Sequence, residues 1–223
     1  VIYILMTCQI DDKKRADDFK HFIEQVEPIL KMKQDELNKK FISALEQFPL
    51  NQDRYGMYIR ELKADLELFR EANVPLQTQE DLLGQEYQTL SGGMTVEFKG
   101  KDHTLAQMSK YSVEPDRELR EAAWRASATR RLKEKDKRDE RFDRMLKLRV
   151  QIAKNAGFDN YRDYKFKSLK RFDYTPEDCK KYHRSMEKLV VPIWGKILEA
   201  KAKTMKLPKL KPWDLGVDEL GAT

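Results

Sequence analysis

Between Pro115 and Gly157 the chain carries neither glycine nor proline. Those residues are the strongest local breakers of a helix, glycine through conformational entropy and proline through its missing N–H. A stretch of about 41 residues without them predicts one long helix over residues 116–156, spanning roughly 60 Å at 1.5 Å per residue. Pro115 suits a first helical position, Asp116 and Glu118 favour the positive end of the helix dipole, and Gly157 is a ready stop residue. Ala122, Ala123, Ala126, Leu132, Phe142, Met145, Leu146 and Ile152 supply a face to bury. Inside the stretch, Lys133–Arg141 is nine charged residues in a row with a net charge of only +1. Mixed signs cancel the field that a docking surface needs, so this run reads as a solvated surface with pairs such as Glu134–Arg138 and Lys135–Asp139.

The rest of the chain shows the same pattern. Asp11-Asp12 can start a helix to about Phe48, with Phe19, Phe22, Ile23, Val26, Ile29 and Leu30 on one side and a kink or break at Pro28. Asp53 can cap a second helix, where Met57, Ile59, Leu62, Leu66 and Phe69 recur at helical spacing, ending before Val74-Pro75. Thr78 to Asp81 resembles a capping box that opens a helix to about Leu90. Thr175 and Pro176 can start a last long helix to about Lys206, kinked at Pro192. Only one segment changes period. Met94–Phe98 alternates apolar and polar, Lys99-Gly100 can turn, and Lys101–His103 can return. The expected fold is all-α, with long antiparallel helices and one small β-hairpin near residues 94–103.

Several function classes are disfavoured by composition. Mean hydropathy is −0.79, and no apolar run approaches the length of a membrane-spanning helix. Val1–Cys8 has no basic flank or small-residue cleavage site, so it does not read as a secretory signal. Cys8 and Cys179 stand far apart, which argues against a disulfide framework and fits a reducing compartment. The net charge is +6, and it is concentrated late: residues 158–223 hold 15 Lys/Arg against 10 Asp/Glu. Acids and bases nevertheless interleave nearly everywhere, without the one-sided basic face of a nucleic-acid binder.

The inventory of reactive groups is sparse. His21, His103 and His183 lie far apart, none is followed by Glu, and none has a second His at ligand spacing. No phosphate-binding glycine loop or nucleophile elbow is present. From residue chemistry alone, no catalytic, cofactor-binding or metal-binding residue can be assigned.

A collinear series of short elements does carry a resemblance. It comprises Val96–Gly100, Thr104–Met108, Pro115–Ala123, Asn155–Tyr161, Asp173-Tyr174, Val191-Pro192 and Leu210–Asp214. The series resembles oligoendopeptidase F and its relatives in the thimet oligopeptidase family of zinc metallopeptidases. The D-R-x-x-R-x-A element at Asp116–Ala122, the A-G-F-x-N-Y element at Ala156–Tyr161 and the closing P-W-D at Pro212–Asp214 are its most specific parts. Each has a scaffold reading, in which small residues let a helix pack closely, Gly157 stops it, and Trp213 packs while Asp214 caps the segment after it.

The resemblance implies a cytoplasmic zinc endopeptidase acting on short peptides. Its zinc ligands, an H-E-x-x-H plus a further Glu, would lie beyond Thr223, so this chain would bind no zinc itself. Residues 1–92 would then be an amino-terminal helical region, and residues 93–223 the start of the oligopeptidase domain, truncated before the zinc-binding motif. The helices would wall the substrate channel, and the expected partners are short peptides and the remaining carboxyl-terminal part, with no nucleic acid and no membrane. A non-enzymatic helical scaffold, or a basic nucleic-acid-binding protein, stands as the alternative.

Overall fold

The computed structural model describes residues 1–218. The fold is all-α with one two-stranded antiparallel hairpin, and among the described residues no helix is long and apolar enough to cross a membrane. Two compact units are each assembled from separated stretches: Val1–Thr89 with Glu140–Pro176, and Leu90–Asp139 with Glu177–Thr223.

In the first unit, α1 (Ile2–Cys8) buries Met6. Helix α2 (Lys13–His21) is capped by Asp12, whose side chain accepts from the Arg15 N–H. The chain then widens into a π-turn over Phe22–Val26 before continuing as α3 (Glu27–Ala44). The expected break at Pro28 is thus absorbed without interrupting the helix. The Glu27 N–H reaches Phe22 O, five residues back, and this wider turn makes room for a proline ring that would clash with a carbonyl four residues back. The same device precedes Pro192.

Helix α4 (Gln52–Leu68) is capped by Asn51, not Asp53, through an Asn51 Oδ1 that accepts from the Arg54 N–H at 2.9 Å. Helix α5 (Val74–Gly92) begins earlier than expected, because Pro75 lies in its first turn, where a missing N–H costs nothing. Thr78 is consequently inside the helix and not at its cap, and its hydroxyl donates to Val74 O at 3.2 Å.

The predicted 41-residue helix is two helices, α7 (Arg117–Leu132) and α8 (Lys135–Asn155), separated at Lys133-Glu134. The break falls at the head of the charged run, which offers no apolar side chain to hold a continuous rod against a neighbour. Gly157 ends α8 as expected, with φ 86°. The Phe158 N–H reaches Ala153 O and the Gly157 N–H reaches Lys154 O, both at 2.9 Å, a complete Schellman closure. Lys170 and Lys206 end α9 (Tyr161–Ser168) and the last helix with the same left-handed geometry.

The core of the first unit is Leu68, Ile152, Ala153, Ala156 and Tyr164, flanked by Leu76, Phe158 and Tyr161. Asn73 is locked beneath it, donating to Ile152 O at 3.0 Å and accepting from Asn155 at 2.8 Å.

In the second unit, β1 (Thr95–Phe98) pairs with β2 (Lys101–Thr104) in the register Val96 opposite His103. Lys99 and Gly100 both have positive φ, 53° and 72°, which defines the tight turn that fits the strand twist. Thr104 and Gln107 form a reciprocal capping box on α6 (Leu105–Met108). Val96, Met108, Tyr111 and Ala123 form the core, with Phe98, Leu105, Leu119 and Ala126 around them. Asp116 caps α7 by accepting from the Glu118 and Leu119 N–H groups. Pro115 therefore precedes the cap instead of opening the helix. Helix α10 (Pro176–Ser185) passes through a π-turn at Met186–Val190 into α11 (Val191–Thr204).

Candidate functional site

The densest polar chemistry in the second unit is a buried carboxylate, Asp214, which is fully sequestered from solvent. It lies in a short 3-10 turn, Pro212–Asp214. Arg117, the first residue of α7, donates from Nε to Oδ1 at 2.9 Å and from Nη2 to Oδ2 at 3.0 Å. This two-pronged geometry is what a planar guanidinium makes with a carboxylate. One turn along, Arg120 is 2% exposed and donates from Nη2 to Oδ1 at 3.3 Å. The i, i+3 spacing puts both arginines on one side of α7. The Lys211 N–H completes the shell, donating to Oδ2 at 2.8 Å.

Burial by itself pushes the Asp214 carboxyl up. Hydrogen bonds from Arg117, Lys211 and Arg120, with the Arg117 charge, outweigh it and hold the group below the ordinary carboxylate value. Arg120 also donates to Trp213 O at 2.9 Å, Glu114 O at 2.7 Å and Pro115 O at 2.9 Å. One side chain thereby ties down both the chain entering α7 and the turn that carries Asp214.

Trp213 adds the apolar half of the clamp. Its ring lies 5.4 Å from Trp124, and the Arg125 guanidinium sits 5.0 Å from its centroid. From α11, the Lys201 ammonium donates to Leu215 O at 3.0 Å and to Val217 O at 2.6 Å. Residues 211–217 are thus pinned to α7 and α11. With both carboxylate oxygens occupied and no solvent access, Asp214 neither carries nor transfers a proton. Its role is to hold elements in place.

This arrangement corrects one expectation and explains another. Trp213 packs, as expected, but Asp214 does not cap the segment after it. It closes its own turn at Lys211 and reaches back 97 residues to Arg117. The D-R-x-x-R and P-W-D elements of the sequence are therefore two halves of one contact.

The three histidines stay apart in role. His103 is buried in β2, with Nε2 3.4 Å from Tyr111 Oη, while His21 and His183 are exposed helix residues. Cys8 and Cys179 are free thiols. Among the described residues no group of three or more His, Cys, Asp or Glu is arranged to hold a metal ion. The donor set on this part of the chain does not fit zinc, and no catalytic step is assigned to it.

Residues 111–218, which contain the whole clamp, match the sequence profile of peptidase family M3. The match covers just under half of the chain. No curated protein matches the chain significantly. Solved structures share the fold over nearly the whole chain. A crystal structure assigned as oligoendopeptidase F superimposes with a TM-score of 0.91 at 24% identity, covering 97% of this chain and 38% of its own. PZ peptidase A, solved with an inhibitor, matches with a TM-score of 0.85 at 29% identity, covering 96% of this chain and 38% of its own. A protein from Bacillus anthracis str. Ames assigned as oligoendopeptidase F gives 0.86 at 21% identity, covering 97% and 40%. The chain therefore spans well under half the length of these structures.

Proposed function

We propose that this chain is the amino-terminal part of a zinc-dependent endopeptidase that hydrolyses short peptides, and that its helices wall the substrate channel. The observation that carries the reading is the M3 profile match over residues 111–218, with the whole-chain likeness to PZ peptidase A in support. In this reading residues 1–92 are an amino-terminal helical region, and residues 93–223 begin the oligopeptidase domain. The zinc ligands belong to the succeeding part of the polypeptide, and the setting is the cytoplasm.

A wall contributes by geometry. Helices held rigid around a site admit an extended peptide and exclude a folded domain. The Asp214 clamp suits such a role, because it fixes α7 and α11 through a charge-assisted network instead of leaving them to slide. The segment from Leu189 to Ile197 supports a further packing partner. Leu189, Val191, Ile193, Trp194 and Ile197 are each at least half exposed, and exposed apolar side chains gathered on one stretch of helix suit a contact site.

The test uses the complete protein. Cleavage of a short quenched fluorescent peptide is compared with cleavage of a folded protein, with and without a chelator. Chelator-sensitive cleavage of the peptide alone is expected. Chelator-insensitive turnover removes the metallopeptidase reading, and equal cleavage of the folded protein removes the wall.

A further inference from the structure

Within the second unit, one side of α7 lines a cavity. Arg120, Ala123, Trp124, Ser127 and Arg131 recur at i, i+3, i+4, i+7 and i+11, a single stripe along the helix, and all five stand in its wall. Leu105 and Met108 of α6 and Trp213 of the Pro212–Asp214 turn share that wall. The volume is about 200 Å³, below the usual range of drug-sized sites, so only a small molecule fits. Trp213 is 7% exposed, and its indole Nε1–H is buried without an acceptor among the described residues. Buried indole N–H groups ordinarily have a partner, and one without it is where an acceptor from outside the chain gains a hydrogen bond.

The charges of the wall point the same way. Among the described residues none of its lining is acidic. Arg120 shares Asp214 with Arg117, and Arg125, against the Trp213 ring, is paired with Glu121 at 2.7 Å. The Arg131 guanidinium has no ion-pair or hydrogen-bond partner among the described residues, and the Ser127 hydroxyl is equally uncommitted. Helical side chains lean toward the amino-terminal end, which carries Arg131 back along the stripe toward Ser127.

We propose that this cavity binds a small organic monocarboxylate with a short apolar body. One carboxylate supplies both the acceptor that the Trp213 N–H lacks and the negative charge that Arg131 lacks, while the body lies against Leu105, Met108 and Ala123. A neutral carbonyl compound would satisfy the indole and leave Arg131 unpaired. Inorganic phosphate would bring more charge and more acceptors than one free cation and a largely apolar wall can satisfy. The occupant is not the peptide substrate, and the site uses residues of the second unit alone, so it stands or falls independently of the peptidase reading.

The test is a titration of the ¹⁵N-labelled 223-residue chain with 4-methylpentanoate at neutral pH and constant ionic strength, followed by the indole N–H signals of its three tryptophans. Trp124→Phe and Trp194→Phe identify the Trp213 signal by elimination. A saturable downfield shift of that signal, with its midpoint at about millimolar concentration or tighter, is expected. 4-Methylpentanamide, of the same shape without the charge, should bind about tenfold more weakly, and so should the carboxylate to Arg131→Gln. Arg131 is exposed, so that variant is expected to keep the circular dichroism spectrum of the parent. No saturable shift of the Trp213 signal would overturn the site, and equal binding of acid and amide would overturn its assignment to an anion. A shift by inorganic phosphate at the same concentration would overturn the role of the apolar body, and unchanged binding by Arg131→Gln would overturn that of the cation.

Discussion

Replacing Asp214 with Asn removes one charge and almost no volume, so its cost reads the electrostatic clamp with little packing change. In the variant Arg120, 2% exposed, keeps its positive charge with only neutral carbonyl partners. The new amide also turns an NH2 group toward donors that need an acceptor. Leaving a buried charge without its counter-ion costs about 3–5 kcal/mol. Arg117 is different, because its side chain is 38% exposed and water can replace what it loses. Arg117→Gln should therefore cost about 1–2 kcal/mol, Asp214 retaining Arg120 and the Lys211 N–H. All three tryptophans, Trp124, Trp194 and Trp213, belong to the second unit, so indole emission reports that unit during urea unfolding. With a denaturant slope of about 2 kcal/mol/M, Asp214→Asn should lower the midpoint by about 2 M. The pH dependence comes from the depressed carboxyl. The stabilisation is fully present above the unfolded carboxylate value, about 3.9, and is lost as pH falls through the lower folded value. The gap between parent and variant should stay constant from pH 8 to pH 5 and close only in more acidic solution. An Asp214→Asn loss below about 1 kcal/mol, or one no larger than that of Arg117→Gln, would refute the clamp.

Gly157→Ala should destabilise the first unit by about 1–2 kcal/mol, because φ 86° is a left-handed position that a Cβ resists; circular dichroism at 222 nm reads the melt. Lys206→Gly should do the reverse, stabilising the end of α11 by up to about 1 kcal/mol, since φ is 53° there and the lysine bears the strain that glycine avoids. Ile152→Ala, at a site 1% exposed, should cost about 2–5 kcal/mol in urea unfolding. Asn73→Ala should cost about 2–3 kcal/mol by stranding Ile152 O and the Asn155 amide, with faster hydrogen exchange at the end of α8 as its local signature.

Helical content, the single hairpin and its Lys99-Gly100 turn, and the stop at Gly157 were all legible in the sequence. Each depends on interactions between residues a few positions apart, and the residue types that satisfy them are few. Asp12 as a cap was equally readable. Where two local signals competed, the sequence was less decisive. Asn51 and Asp53 are both good caps, and the helix took the first; Pro75 can close one helix or open another, and it opened α5. Lys170 and Lys206 adopt a left-handed geometry that their side chains do not advertise. The π-turns before Pro28 and Pro192 were visible only as a disturbance, because the chain can answer a proline with a kink, a break or a wider turn at similar cost.

The candidate site divides in the same way. Its two halves were present in the sequence as separate short elements, and i, i+3 spacing already placed Arg117 and Arg120 on one side of a helix. Nothing local paired them with Asp214. A carboxylate among 38 acidic residues carries no mark of its partner, since charge attraction has no address along the chain. What the sequence determined by itself was the helical class, the hairpin and the stop at Gly157, because backbone hydrogen bonding and capping act within a turn or two. Only the tertiary structure decided that Asp214 is dry, that Arg120 is spent on four carbonyl and carboxylate oxygens, and that Trp213 and α7 line one cavity. Burial and charge pairing are properties of surfaces brought together in space, and no distance along the chain encodes them.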